Sequence, residues 1–200
     1  SLIRIRAAFG ILRHLLARWW QGPVQILETI AGRSSAKKFG DHGLSIETIE
    51  GLLRCAARAP DHGLLSPWRF IVLLDEGRKV FADALESALR RRDPAVDAQT
   101  VERERSKAFR SPALIVVAAV ITPHPKVPEI EQIAAVGAAV ENLIIAAHGQ
   151  GLATMWKTGG AAYDPTVKQA LGLALQDHIV GFVHVGVPTE MKPVPSSNGI

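Results

Sequence analysis

Residues 57–70 read ARAPDHGLLSPWRF and join a predicted helix to a predicted strand. Ser45 is a suitable N-cap, and apolar residues recur behind it at helical spacing, which predicts a helix that continues to about Arg58. Pro60 ends this helix, because proline disfavours helical backbone at the residue before it. The apolar run RFIVLLD at 69–75 predicts a buried strand. The stretch is therefore a helix end, a rigid polar turn and a strand start.

This turn holds ionisable side chains whose relative positions are fixed by proline. Arg58 and His62 lie on either side of Pro60, and Asp61 is placed either to cap the following turn or to orient His62. A nucleophile elbow of the form GxSxG does not occur, so a hydrolase triad is not indicated. The histidines are scattered and form no HExxH pattern, so no metal site is predicted.

Outward from the turn, the sequence mixes predicted helices with predicted strands. The segment 130–148 is apolar on nearly every side, which predicts a helix that is buried all round. We expect helices at 23–31, 77–92, 98–109 and 164–171, of which 98–109 is charged and solvated, and strands at 111–121, 152–158 and 178–188.

The order of these elements indicates the fold class. No glycine-rich phosphate loop follows the first strand, which argues against Rossmann and P-loop folds. Helices come first and strands then mix with helices, so we predict an α+β sandwich. The predicted organisation is a single domain at 23–200, preceded by an extra amphipathic helix at 1–22. That helix would pack on a partner subunit or on a membrane surface.

Composition narrows the functional classes. The net charge of +4 comes largely from arginines in the first twenty residues, so no nucleic-acid partner is predicted. A hydrophobic content of 48% with 21% charged residues predicts apolar surface buried between subunits. The longest apolar run, 113–121, is half the length of a membrane span. The one cysteine, Cys55, suits the reducing cytoplasm and is predicted to be a core residue.

Two further segments have the composition of ligand sites. Arg33, Ser34, Ser35 and Lys37 follow a helix in GRSSAKK, where hydroxyls and cations can bind a phosphate or can form a solvated loop. GLATMWKTGG at 151–160 ends in a double glycine. Without side chains there, backbone N–H groups can approach a flat ligand closely, although the same glycines are also compatible with a simple end of the strand.

Taken in order, the Arg-Ser-Ser loop, the stretch RAPDHGLLSPWRF, the alanine-rich helix, WKTGG and the strand GFVHVGVP resemble the nitroreductase family of FMN-dependent oxidoreductases. Within that family the resemblance is to the short, YdjA-like members, and it spans about residues 24–193. It implies an obligate homodimer with a mainly antiparallel central sheet flanked by helices and with FMN at the subunit interface. It also implies that the helix at 130–148 forms the dimer core.

The resemblance implies roles for individual residues. Arg33, Ser34 and Ser35 match the segment that holds the FMN phosphate and ribityl chain, and Lys37 would lie near the pyrimidine side of the ring. Further flavin contacts are implied for Arg58, His62, Trp156, Lys157, Thr158 and Gly159. The partner chain would wall the pocket with Leu65, Ser66, Pro67 and Trp68. The segment 146–151 matches a stretch associated with the nicotinamide nucleotide.

The implied reaction is ping-pong hydride transfer, in which NAD(P)H reduces FMN and a flat acceptor such as a nitroaromatic or a quinone is then reduced. The chemistry lies on N5 of FMN, so no side chain is assigned as catalytic. One departure concerns the phosphate, because many relatives hold it with a basic residue after the last strand. Here the tail after Lys192 reads PVPSSNGI, which leaves Lys157 or Lys192 as substitutes.

Two alternatives remain open from the sequence. The same fold serves flavin-binding proteins and enzymes that cleave reduced flavin. A dimer that uses its basic N-terminal helix at a membrane and binds no cofactor would be non-enzymatic.

Overall fold

The computed structural model describes residues 25–190, which fall into two compact units, one ending at Gly32 and the other beginning at Arg33. The first unit contains helix α1 (Gln25–Gly32), which confirms the helix predicted at 23–31. The extra helix predicted at 1–22 and the tail PVPSSNGI lie outside the described residues.

The second unit contains the predicted elements close to their expected bounds. Its helices are α2 (Ile46–Ala56), α3 (Gly77–Arg92), α4 (Ala98–Arg105), α5 (Glu129–Gly149), α6 (Gly160–Tyr163) and α7 (Pro165–Ala170). Its strands are β1 (Trp68–Leu74), β2 (Ala113–Ala119), β3 (Ala153–Lys157) and β4 (His178–Gly186). Short 3₁₀ turns cover His62–Leu64 and Ser106–Phe109. The Ser45 cap is confirmed, because its hydroxyl accepts a hydrogen bond from the Thr48 N–H.

The four strands form one antiparallel sheet in the order β1-β2-β4-β3. β2 lies in the middle, where every one of its residues is buried, and its run of aliphatic side chains suits a strand covered on both faces. β1 and β3 are the two edges. The predicted α+β class with a mainly antiparallel sheet is confirmed.

Helices cover both faces of the sheet. Successive side chains of a strand point to opposite sides, so the apolar side chains of β2 need a packing layer on each face. Ile115 and Val117 of β2 pack in a cluster with the buried sides of α2 and α5. Leu114 and Val116 pack in a second cluster with Phe81 of α3 and with Val167 of α7. The resulting three layers place the exit of β3 at an open edge of the sandwich.

Helix α5 departs from the prediction that it is buried all round. One side is buried, with Gln132, Val136 and Leu143 among its residues, whereas Ile130 is 69% exposed and Ala134 is also exposed. Within the described residues α5 is the one helix long and apolar enough to cross a membrane by length and composition. Its place in the core identifies it as the central helix of the sandwich, with a second apolar side that the chain leaves uncovered.

Two smaller predictions are wrong. Cys55 is exposed, because the buried line of α2 runs through Ile49, Leu52 and Ala56 and Cys55 lies roughly a quarter turn away from it. The strand predicted as buried at 69–75 is an edge strand, in which Leu73 alone is fully buried.

Candidate functional site

The Arg-Ser-Ser segment lies along the edge strand β3. Ser35 forms an isolated parallel bridge with Thr154, and the Ala36 N–H donates to the Thr154 carbonyl at 3.0 Å. Ser34 and Arg33 are half-buried, whereas Ser35 is exposed. The backbone pairing therefore fixes these hydroxyls and this guanidinium beside the strand that leads to WKTGG.

The chain then crosses the end of the sheet. Phe39 forms an antiparallel bridge with Pro188, and the Gly40 N–H donates to the Val187 carbonyl at 2.9 Å, so the segment pairs with the extension of β4. Lys38 forms an exposed ion pair with Glu190 at 3.1 Å. These contacts close one wall of a groove at the sheet end.

This groove is a cavity of about 570 Å³, and its lining contains four cations and no carboxylate. It is lined by Lys37, Lys38, Phe39, Arg110, Met155, Lys157 and Thr189. Lys37, Arg110 and Lys157 have no carboxylate partner in the part of the chain that the structure describes. A groove with this charge is suited to an anion.

A second cavity of about 420 Å³ lies next to the first and shares Arg110 and Lys157 with it. Thr158, Gly159 and His184 also line it. Of the predicted site residues, Lys37, Lys157, Thr158 and Gly159 line these two adjoining cavities. Arg33, Ser34, Ser35 and Trp156 line neither of them, although the Arg-Ser-Ser segment is bridged to β3 through Ser35 and Thr154.

The strand exit has a fixed backbone. Gly159 has φ +93°, a conformation that L side chains rarely adopt, and a Cβ there would meet no atom within 4 Å. Trp156 donates its indole N–H to the Val180 carbonyl at 3.1 Å, and its ring lies over Gly181, which has no side chain to displace it. The glycine at 159 is therefore required by backbone geometry, and the space beside it is open to a ligand.

The other predicted residues lie elsewhere in the chain. His62 Nδ1 lies 2.6 Å from a carboxylate oxygen of Glu131 at the start of α5, and Arg58 is exposed at the end of α2. Asp61 precedes the 3₁₀ turn but makes no cap bond to it with its side chain, which instead accepts a hydrogen bond from the Ser66 N–H and so closes the loop from 61 to 66. The turn leads directly into Trp68, the first residue of β1, and both Leu64 (φ +55°) and Ser66 (φ +48°) have left-handed backbone.

The two groups of predicted residues lie at diagonally opposite corners of the sheet. β1 and β3 are separated by three strand spacings, or about 14 Å across the sheet. Through the ladder, Trp68 is level with His178 of β4 and Thr154 is level with Val185, which adds about 23 Å along the strands. One chain therefore brings Arg33–Lys37 to Trp156–Gly159 but leaves the turn at 62–68 too distant to share a small ligand with them.

His184 is a buried residue of the site that the sequence analysis did not single out. Burial, followed by the positive charges of Arg110 and Lys157, lowers the pKa of His184 to about 4. The Ser111 hydroxyl donates to the Ala113 carbonyl at 2.7 Å, so its oxygen accepts from the imidazole Nδ1–H at 2.9 Å. His184 is thus a neutral imidazole whose Nε2 carries a free lone pair.

Arg110 was also missed. It directly precedes the segment that starts β2, and nothing in the local sequence distinguishes it from the other arginines of 103–110. Its place at the cavity depends on β2 starting beside the end of β4, where Ala113 is paired with Val185. A polar residue within the apolar strand HIVGFVHVG was the available signal for His184.

Comparisons with known proteins agree with this geometry. A model of the Nitroreductase family matches residues 30–187. The chain is 35% identical over 172 residues to the Escherichia coli (strain K12) protein named "Putative NAD(P)H nitroreductase YdjA", and the match covers 86% of this chain and 92% of YdjA. The solved nitroreductase-like family protein from Bacillus cereus has a TM-score of 0.78 at 27% identity, over 90% of this chain and 95% of that chain.

A nitroreductase from Bacteroides fragilis NCTC 9343, solved with bound FMN, shares the fold with a TM-score of 0.66 at 21% identity, over 89% of this chain and 98% of that chain. The family match includes the Arg-Ser-Ser segment, the turn before β1 and the exit of β3. On the extent of the family match and the identity to YdjA, the chain belongs to the Nitroreductase family.

Proposed function

We propose that this protein is a cytoplasmic, homodimeric, FMN-dependent NAD(P)H oxidoreductase that passes electrons to a flat acceptor such as a nitroaromatic or a quinone. The observation that carries the proposal is the cationic groove lined by Lys37, two residues after the Arg-Ser-Ser segment, and by Lys157 at the exit of β3. The family membership supports the reaction class.

The donor set of the groove fits a phosphorylated flavin. Lys37 and Lys157 line the groove and provide charge without a competing carboxylate. Arg33, Ser34 and Ser35 do not line it, but they precede Lys37 in the chain and are bridged to β3 through Ser35, so their guanidinium and hydroxyls are further donors close to the groove. We propose that Arg33, Ser34 and Ser35 hold the phosphate and ribityl chain and that Lys37 lies at the pyrimidine side of the ring. A charge-assisted hydrogen bond of this kind contributes on the order of 1–3 kcal/mol.

The exit of β3 suits the edge of a flat ring. The backbone at Thr158 and Gly159 offers N–H groups beside open space, and the missing side chain at 159 allows close approach. Trp156 lines neither cavity, and its bond to the Val180 carbonyl fixes its ring over Gly181 next to the strand exit.

A second chain completes the site in this proposal. His62 belongs to the turn at the far corner of its own sheet, and it would come from the partner together with Arg58, Leu65, Ser66, Pro67 and Trp68. The uncovered apolar side of α5 provides a surface for such a dimer, because exposed aliphatic residues on a core helix are covered in a stable assembly. The backbone strain at Leu64, which is 89% exposed, suits a turn that is held against a partner.

Bound FMN would supply the hydride chemistry, taking a hydride from NAD(P)H and giving it to the acceptor in a ping-pong cycle. The side chains of this chain position the ring, neutralise the phosphate and exclude water, and none is assigned to donate a proton. The segment 146–151, at the end of α5, is proposed to contact the nicotinamide nucleotide.

The test is a visible spectrum of protein supplied with FMN, recorded before and after anaerobic NADPH. We expect a flavin band that bleaches with NADPH and returns with a nitroaromatic. Arg33→Ala should bind little flavin at unchanged mass, whereas Arg54→Ala, which removes an exposed arginine paired with Glu50, should behave as wild type. Full retention of FMN by Arg33→Ala would remove Arg33 from the site.

The same spectrum separates the rival functions. Bleaching followed by permanent loss of the flavin band in air would favour cleavage of reduced flavin. Protein that takes up no FMN would favour the non-enzymatic dimer and would contradict the proposed oxidoreductase.

A further inference from the structure

We propose that Arg110 binds the phosphate of FMN, in place of a basic residue after the last strand, and so selects phosphorylated flavin over riboflavin. This inference rests on the proposed function, because it takes FMN as the ligand of the groove. The residues from 187 to 200 contain one cation, Lys192, and no arginine, whereas Arg110 lies in the groove itself.

Arg110 lies at the correct end of the sheet for this role. It follows the 3₁₀ turn Ser106–Phe109 and precedes β2, whose first residue pairs with Val185 near the end of β4. It lines the groove together with Thr189, which belongs to the segment that follows β4. The tertiary pairing of β2 with β4 therefore carries Arg110 to the place where residues after the last strand also lie.

Arg110 is available to a ligand, whereas the arginines around it are engaged. Arg105 is paired with Asp83 and Glu86, and Arg78 donates to the Ser111 carbonyl and lies over the Phe109 ring. Arg91 and Arg92 are both paired with Asp164. Among the described residues, Arg110 has neither a carboxylate nor a carbonyl partner. A guanidinium left free beside paired neighbours is the one that an incoming anion can bind.

The charges around Arg110 favour the binding of an anion. Lys37 and Lys157 line the same groove, and Lys38 is already paired with Glu190. The positive charges of Arg110 and Lys157 both act on buried His184, where they add to burial in lowering its pKa. Cations that line one groove raise the local positive potential, and a phosphate dianion bound there is attracted by it.

Arginine is better suited than lysine to this contact. Its planar guanidinium donates two parallel N–H bonds to a phosphate, which fixes orientation as well as charge, whereas lysine acts as a point charge. Arg110 would thus fix the phosphate, while Lys157 and Lys37 contribute charge near it. The isoalloxazine ring has no such group, so the effect of Arg110 should depend on the phosphate alone.

The test compares the binding of two flavins to four proteins, of which the fourth is Arg110→Lys. The affinities of apo-protein for FMN and for riboflavin are measured by quenching of flavin fluorescence, with wild type, Arg110→Gln and the matched control Arg103→Gln. Arg103 is an exposed arginine of α4 that bonds to Thr100 and lines neither cavity. Arg110→Gln should weaken FMN binding roughly 10- to 100-fold and leave riboflavin binding unchanged. Arg110→Lys should restore part of the loss.

Three results would overturn the inference, and one of them also removes the proposed function. Equal losses for FMN and riboflavin would mean that Arg110 shapes the cavity and does not contact phosphate. Unchanged FMN affinity with a higher KM for NADPH would assign Arg110 to the nucleotide. If wild-type protein binds neither flavin, the proposed function fails as well, whereas in the first two cases it stands.

Discussion

Ser111 Oγ lies 2.9 Å from Nδ1 of His184, and this buried pair joins the start of β2 to the end of β4 beneath the two cavities. The serine hydrogen is used by the Ala113 carbonyl, so the imidazole is the donor in the pair. His184 is 2% exposed and has a pKa of about 4, lowered from 6.5 first by burial and then by Arg110 and Lys157.

This pair gives the protein an acid-sensitive stability. Unfolded His184 takes up a proton as pH falls through 6.5, but the folded residue does so only near 4, so its contribution is complete above 6.5 and is lost between those values. The loss amounts to about 3 kcal/mol. Urea unfolding across this window should show the loss in wild type and a flatter profile in His184→Asn. Removal of the exposed His42 by His42→Asn should leave the profile unchanged, and equal profiles for all three proteins would contradict the assignment.

Ser111→Ala should destabilise the protein without removing a charge. The substitution leaves the His184 N–H and the Ala113 carbonyl without their partner in a buried place, which costs about 1–3 kcal/mol. Chemical unfolding at neutral pH measures it. A loss no larger than that of Ser106→Ala, which removes an exposed hydroxyl bonded to Arg103, would show that the buried pair contributes little.

Asp164 joins α3 to α7, and replacing its carboxylate with a neutral amide should lower the stability of the fold. Its side chain is 4% exposed, caps α7 through the Thr166 N–H, and receives Arg91 and Arg92. Burial alone would raise the pKa of Asp164, but the bonds from Thr166 and Arg91 outweigh it and keep the pKa below its ordinary value. Asp164→Asn should lower the free energy of unfolding by about 2 kcal/mol. Asp93→Asn, at an exposed cap, should cost far less, and equal costs would contradict this role.

Gly181 leaves room for the indole of Trp156 at the exit of β3. A Cβ at 181 would overlap the ring at Nε1 and Cδ1 and break the bond to Val180. Gly181→Ala should cost about 1–3 kcal/mol in wild type. The same change in a Trp156→Ala background should cost much less, because the overlapping ring is gone. Additive costs in this double-mutant cycle would show that the ring does not depend on the glycine.

The uncovered side of α5 makes a prediction about assembly. Ala134 is exposed in the single chain, so Ala134→Glu should leave folding intact but should place a charge in the proposed dimer contact. We expect the dimer to weaken at least about tenfold, together with loss of FMN. Ala98→Glu, at an exposed position of α4, is the control. Light scattering measures the mass of both variants, and the visible absorption band measures their bound flavin. An Ala134→Glu protein that remains a dimer with bound flavin would place the contact elsewhere.

Local signals predicted the secondary structure because they act over a few residues. The Ser45 cap, the break at Asp93 after α3 and the apolar strand β2 are each determined by their own side chains. The periodicity of α2 also predicted its buried side. It did not show which residues lie just outside that side, and Cys55 was wrongly predicted to be buried for this reason.

What the sequence could not predict depends on tertiary pairing. Arg110 reaches the groove only because β2 starts beside the end of β4, and β1 is half-exposed only because it is the edge strand. Likewise, His62 and Arg33 look like parts of one site in the sequence, yet the strand order places the turn before β1 and the Arg-Ser-Ser segment at opposite corners of one sheet. The spacing of residues along the chain contains no information about that separation.

The most direct test of the account is sedimentation velocity of the protein with bound FMN, followed at the visible absorption band of the flavin. Because the two halves of the proposed site are separated within a chain, all bound flavin should sediment with a species of twice the 21.5 kDa chain mass. Flavin that sediments with a single chain would contradict a site shared between two subunits.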